Sequence, residues 1–184
     1  MKVAVATVSV LLALLAGCGD DGEEPAATQP EHATTAGDEA PPTKNRTHAL
    51  EEFIRLSYEI AVAEADTSGQ FNDEGKDLLR DADRAWQEYV ERVRRPKASI
   101  ARMMVQAYGP TGLDEPADAA EAAEIVAQID PSPQAYLELV QHAARAGQTR
   151  KADLAGKKAI ELAPSRSRAE IRGLAEQAKL TPTP

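Results

Sequence analysis

Cysteine is almost absent from this chain: Cys18 is the only one in 184 residues. No disulfide framework can form, so the fold must hold by packing alone. Histidine is scarce as well, with His32, His48 and His142 as its three copies. No Cys/His ligand spacing, glycine-rich phosphate loop or Gly-x-Ser-x-Gly elbow is present. Neither catalysis, a metal site nor a cofactor is therefore expected. Glu121 and Glu124 do share a helical face, but that spacing is ordinary for a solvated surface. Positive charge is in deficit, 21 Lys and Arg against 30 Asp and Glu, for a net charge of −9. An acidic surface argues against nucleic acid as a partner, because neutralising phosphates requires clustered Lys and Arg. Long apolar runs are missing too. The one apolar stretch, Val3 to Ala16, is shorter than the ~20 residues of a spanning helix. No segment alternates as a strand does.

What is present begins with that apolar stretch. It follows Lys2 and ends in small residues, which is the layout of a secretory signal peptide. An unpaired thiol in an exported chain calls for its own explanation. Leu15, Ala16, Gly17 and Cys18 resemble the lipobox of bacterial lipoproteins. The resemblance implies cleavage before Cys18 and transfer of diacylglycerol to its thiol. Each buried acyl methylene contributes roughly 0.8 kcal/mol, so two or three chains anchor stably where one would not. The expected address is the cell envelope, lipid-anchored on the extracytoplasmic side. In some Gram-negative members an aspartate after the cysteine signals inner-membrane retention. Gly19 stands there, so the choice of membrane stays open. Loss of residues 1–17, with Lys2, takes the net charge from −9 to −10.

Residues 18–48 lack any large apolar side chain and are rich in Pro, Thr, Ala, Glu and Asp. Such a segment cannot bury enough surface to offset its ordering entropy and reads as a disordered tether. From Ala49 to about residue 180 the pattern is helical, and residues 181–184 read as a disordered tail. In the first helix Leu50, Phe53, Ile54, Ser57 and Ala61 are expected on one face. In the second, Leu78, Leu79, Ala82, Ala85, Trp86, Tyr89, Val90 and Val93 recur at three- and four-residue steps, and Pro96 ends it. A third runs from Lys97 to Tyr108 and a fourth ends before Pro131. Ser132 and Pro133 start a fifth, Thr149 opens a sixth that runs to Leu162, and Ser167 with Glu170 forms a candidate capping box for a seventh. The fold class is all-α.

The segment Pro133 to Pro164 resembles a tetratricopeptide repeat, a helix hairpin of 34 residues in that family. Tyr136 matches its first aromatic, Leu139 its leucine, Gly147 its turn, Ala152 and Ala159 its two alanines, and Pro164 its closing proline. Val140, Ala143 and Gly156 depart from the pattern and make the packing knobs smaller. A weaker copy spans Ala98 to Pro131, with Met104, Val105 and Tyr108 on its first helix and Ala119 and Ala123 on its second. The resemblance implies about three hairpins, the first degenerate, and a C-terminal capping helix. An irregular bundle whose alanine spacing imitates the repeat is the competing arrangement.

Repeats of this family bind through the surface lined by their first helices. Carried over, that face comprises Gln134, Leu137, Glu138, Gln141 and Arg145, with Ser99, Arg102, Met103 and Gln106 from the weaker copy. Arg102 and Arg145 would be its cations and Gln106 and Gln141 its amide donors. The basic and amide pair that clamps a C-terminal carboxylate in some members is replaced by Leu137 and Glu138. The implied function is a membrane-anchored scaffold for a protein or peptide partner. The alternative is an envelope-assembly lipoprotein that self-associates, with Trp86 and Tyr89 at the contact. Arg92, Arg94, Arg95 and Lys97 form the main basic cluster, suited to a helix C-terminus or, secondarily, to anionic headgroups.

Replacing Cys18 by Ala is expected to leave an unprocessed precursor that takes up no labelled fatty acid. A wild-type chain that takes up none, and is released as soluble mature protein, would refute the lipobox reading.

Overall fold

The computed structural model describes residues 43–180. The leader, Cys18, most of the tether and the tail 181–184 lie outside the described residues. Seven α-helices make up the described chain: α1 (Thr43–Glu64), α2 (Asp73–Arg92), α3 (Ala98–Ala107), α4 (Pro116–Ile129), α5 (Pro133–Arg145), α6 (Thr149–Leu162) and α7 (Arg168–Lys179). A 3-10 turn, Ser165–Ser167, precedes the last. No described residue is in a strand, and no described helix is long and apolar enough to cross a membrane.

Local chemistry sets most of these boundaries. The Asn72 side chain accepts a hydrogen bond from the Gly75 N–H at 2.7 Å, and Asp73 and Glu74 follow in the first turn, where the helix dipole favours anions. Ser132 accepts from the Ala135 N–H at 3.1 Å, and Pro133 supplies a fixed φ at the first position of α5. Gly147, at φ 69°, reverses the chain between α5 and α6 in the left-handed region where a β-carbon is disfavoured. The turn between α3 and α4 folds back onto α3. The Leu113 N–H donates to the Ala107 carbonyl at 2.9 Å and the Glu115 N–H to that of Tyr108 at 3.1 Å. A β-carbon on Gly112 would sit 2.1 Å from the Ala107 oxygen, so no other residue fits there.

Three local expectations are corrected. Helix α1 begins at Thr43, six residues before Ala49, where the helical pattern is expected to start. Its first turn holds no large apolar residue, but Arg46 pairs with Glu88 of α2 at 2.8 Å. Phe53 does not share the buried face of Ile54, Ser57 and Ala61 and is about half exposed. One residue step turns a helix by about 100°, which separates Phe53 from Ile54. Ser167 makes no capping bond: the 3-10 turn leaves it in the right-handed helical region instead of the extended geometry of a cap.

The helices pack in a row. Each lies against the next, α1 also meets α3, and α7 lies against both α5 and α6. Among the described residues no helix approaches one more than two places along the chain, and α3 and α5 do not meet. The core is continuous from Ile54, Leu79, Trp86 and Tyr89 through Met104, Val105 and Tyr108 to Val126, Leu139 and Val140. Alanines line its seams, among them Ala101, Ala119, Ala123, Ala127, Ala143, Ala152 and Ala155. At the C-terminal end Gly156 faces the Ala175 β-carbon and Val140 Cγ2, which lie 3.5 and 3.7 Å from where its own β-carbon would be.

Two tyrosines tie the first three helices with polar bonds inside this core. The Tyr89 hydroxyl donates to Glu51 Oε1 at 3.0 Å and accepts from the Lys97 N–H at 3.0 Å. Lys97 Nζ closes the triangle on the other Glu51 oxygen. Burial pushes the Tyr89 phenol up to about 12. The Tyr108 hydroxyl donates to Asp83 of α2, and burial raises its pKa as well.

Because α6 turns Ala152 and Ala159 fully inward, Ala152→Leu is expected to cost roughly 1–3 kcal/mol in denaturant unfolding through overpacking. Lys157→Leu, on the exposed side, is expected to cost little. Gly156→Ala gains about 0.5–1 kcal/mol, since the added β-carbon makes ordinary contacts and the helix loses a glycine. Equal losses at residues 152 and 157 would refute this placement of α6.

Candidate functional site

The face of α5 carrying Gln134, Leu137, Glu138 and Gln141 opens onto a cleft of about 470 Å³, closed on its other side by Leu174, Gln177 and Ala178 of α7. The three- and four-residue spacing places these side chains in one stripe. The pairing of Gly156 with Ala175 brings α7 near enough to form the second wall. Gln134, Gln141 and Gln177 are exposed, while Leu137 is buried at the floor. Glu138 is part-covered, and burial raises its carboxyl pKa, opposed by the Arg102 charge. The cleft thus offers amide donors and acceptors around an apolar strip, with one carboxyl whose charge is disfavoured.

Of the nine face residues expected from the sequence, Gln134, Leu137, Glu138 and Gln141 share this cleft and Arg102 lies within electrostatic reach, whereas Ser99 and Met103 do not line it. Gln106 does not join them. It lines a separate cleft of about 390 Å³ with Tyr58 and Phe71 at the α1–α2 connection. Arg145 is not a free groove cation either. It donates to Asp114 at 2.8 Å, and its side chain is only 9 % exposed. Asp114 sits at φ 56° in the α3–α4 turn, and the fold of that turn carries its carboxylate across to the end of α5. Arg102, about half exposed, is engaged with Asp130 at the end of α4. Both expected cations therefore fasten first helices to turns.

The remaining named residues fall into packing roles or onto other surfaces. Leu139, Ala152 and Ala159 are buried, Tyr136 is part-covered, Gly147 holds its turn, and Pro164 leads into the 3-10 turn. Trp86 and Tyr89, expected at a self-association contact, are inside the core at 3 % and 0 % exposure, with ring centroids 5.8 Å apart. They are unavailable to a partner. In the basic cluster, Arg92 donates to Glu88 at 3.0 Å and Lys97 pairs with Glu51, whereas Arg94 and Arg95 lie exposed in the α2–α3 link.

Sequence reasoning missed a cleft of about 810 Å³ between α4 and the α5–α6 turn. Tyr136, Leu139 and Leu154 wall it, and the Lys151–Glu124 pair at 2.8 Å crosses its side. The readable signal was Leu154, an apolar residue on the outward side of α6. His142, a lone helical histidine of the packed or solvated kind, takes the packed form. It is buried on α5, its Nδ1 has no hydrogen-bond partner, and burial together with Arg145 lowers its pKa below 6.5.

No protein-family model matches the chain, and no curated protein and no solved structure does.

The state of His142 has a pH consequence. Its folded pKa is depressed, so its contribution to stability is complete above the unfolded value near 6.5 and is lost as pH falls through the folded value. Between pH 7.5 and 5.5 the wild type is expected to lose stability relative to His142→Leu, by at most about 1.4 kcal/mol for each pH unit crossed. A wild-type minus variant difference that stays constant over that window would show His142 to be solvated in the native state.

Proposed function

We propose that this chain is a lipoprotein of the bacterial cell envelope, anchored through Cys18 on the extracytoplasmic side, whose tetratricopeptide-like helices hold an extended segment of a protein partner. The address rests on Leu15, Ala16, Gly17 and Cys18 and on the absence of any second cysteine. The repeat reading is supported by helices that pack only on near neighbours and by buried Leu139, Ala152 and Ala159 around the Gly147 turn.

The observation that carries the binding reading is the α5–α7 cleft. A primary amide supplies two donors and an acceptor, the pattern needed to match both N–H and C=O of an extended backbone. Gln134 and Gln141 of α5 and Gln177 of α7 present three such groups across one cleft, with Leu137 and Leu174 as apolar contacts between them. No charge clamp takes part, since Arg145 is covered and Arg102 is engaged. Specificity then comes from backbone pairing and from one or two apolar side chains of the partner.

Each neutral hydrogen bond contributes a net ~0.5–1.5 kcal/mol, so removing two weakens binding about tenfold. Gln141→Ala combined with Gln177→Ala is accordingly expected to cut partner recovery by that factor in an envelope crosslinking pull-down, with helical circular dichroism unchanged. Lys157→Ala serves as the control and recovers the wild-type amount. Undiminished recovery by the double variant would remove the cleft as the binding surface.

A further inference from the structure

Helix α1 is apolar on two sides. One side packs on α2 through Ile54, Ser57 and Ala61. The other carries Phe53, Leu56 and Ile60, exposed by 47, 47 and 50 % and spaced so that they form one stripe within about 60° of arc. Nothing among the described residues covers them. Three large apolar side chains aligned on one helix are a contact surface, unlike single exposed leucines.

We propose that this stripe is the interface of a symmetric, antiparallel dimer in which α1 packs on α1 of a second copy. Two features of the helix select that occupant. The first is register. Phe53 lies three residues before Leu56 and Ile60 four after, so a two-fold axis at Leu56 sets Phe53 of each copy against Ile60 of the other and Leu56 against Leu56. An isologous contact requires such self-complementarity. The second is charge. Arg46 and Glu64 lie on the same flank of the stripe, ten residues before and eight residues after Leu56, or about 15 and 12 Å along the axis. Antiparallel pairing about this axis keeps that flank on one side of the interface in both copies and so brings Arg46 of one beside Glu64 of the other, whereas parallel pairing would place the two copies of this flank on opposite sides of the contact. Arg46 already meets Glu88, but its side chain is half exposed and its guanidinium has donors to spare. On the opposite flank Arg55 bridges Glu52 and Glu59 within each copy, which keeps that side from presenting free carboxylates.

Three half-exposed side chains make a small contact beside the roughly 800 Å² per partner of a standard interface, so a weak, reversible dimer is expected. It leaves the α5–α7 cleft uncovered, and it does not depend on what that cleft binds.

Sedimentation velocity over two decades of concentration tests the proposal. It uses the chain from Gly19 onward, because among the described residues every core residue lies after position 48. The wild type is expected to shift reversibly from monomer to dimer. Leu56→Glu, at a half-exposed site where the fold survives, raises the dissociation constant at least about tenfold. Arg46→Glu weakens the dimer, and adding Glu64→Arg restores it. Leu56→Cys, oxidised with oxidised glutathione, gives covalent dimers, while Val62→Cys, on the opposite side of α1, gives none. A wild type that stays monomeric throughout overturns the proposal. So does equal crosslinking at residues 56 and 62. Monomer that instead binds phosphatidylcholine vesicles through the same stripe, with loss of binding in Leu56→Glu, would assign the surface to lipid and refute the dimer.

Discussion

Two helices approach closely only where the side chains between them are short, and that requirement governs the molecule from α3 onward. Ala119, Ala120, Ala123 and Ala127 leave α4 with almost no bulk on its inward side, and Ala143, Ala152, Ala155 and Gly156 do the same for the α5–α6 hairpin. The larger residues, Met104, Tyr108, Val126 and Val140, then fill the spaces between seams. Because the helices stand close, α7 reaches both α5 and α6 and completes the amide-lined cleft. A residue larger than alanine in the α5–α6 seam would widen it and draw the two walls of that cleft apart.

The N-terminal end uses a different device. Helices α1 and α2 are longer, their contact includes aromatic bulk from Trp86 and Tyr89, and the joint with α3 is closed by a buried carboxylate, a phenol and a lysine. A buried Glu51 without Tyr89 and Lys97 would be an uncompensated charge, so the three residues fix one another's rotamers. The joint sets where α3 starts, because the Lys97 N–H that donates to Tyr89 belongs to the residue just before it. The two ends thus differ in kind, a polar lock at one and short-chain seams at the other.

How much of this was legible in the sequence varied with the range of the interaction. The all-α class, the Ser132 and Pro133 start of α5 and both ends of α6 follow from periodicity and local capping, and the structure has them where the residues put them. The first turn of α1 was not legible, because what holds Arg46 is Glu88, 42 residues away. The same holds for the groove cations. Arg102 and Arg145 lie on the expected helices, but their carboxylates, Asp130 and Asp114, sit 28 and 31 residues distant in turns that carry no periodic signal. Phe53 misled because its spacing fits the buried face within one turn but drifts off it across the helix. The spacing of Trp86 and Tyr89 on the apolar face of α2 agrees with their burial, and only the self-association alternative, which put them at a contact, fails, because the polar tip of Tyr89 finds its partners inside. The α5–α7 cleft was half legible: the α5 stripe was visible, and the α7 wall was not.

Contact between near neighbours alone also shapes how the chain acquires its structure. Among the described residues every helix interface joins elements at most two places apart, so the loops closed during folding are short and the search is local. Chains of this kind fold quickly, and their order of assembly is free to follow the order in which residues become available. The α1–α2 hairpin and its polar joint to α3 make no contact with α7, so a chain whose N-terminal part becomes available first can settle that end while its last helices are still to come.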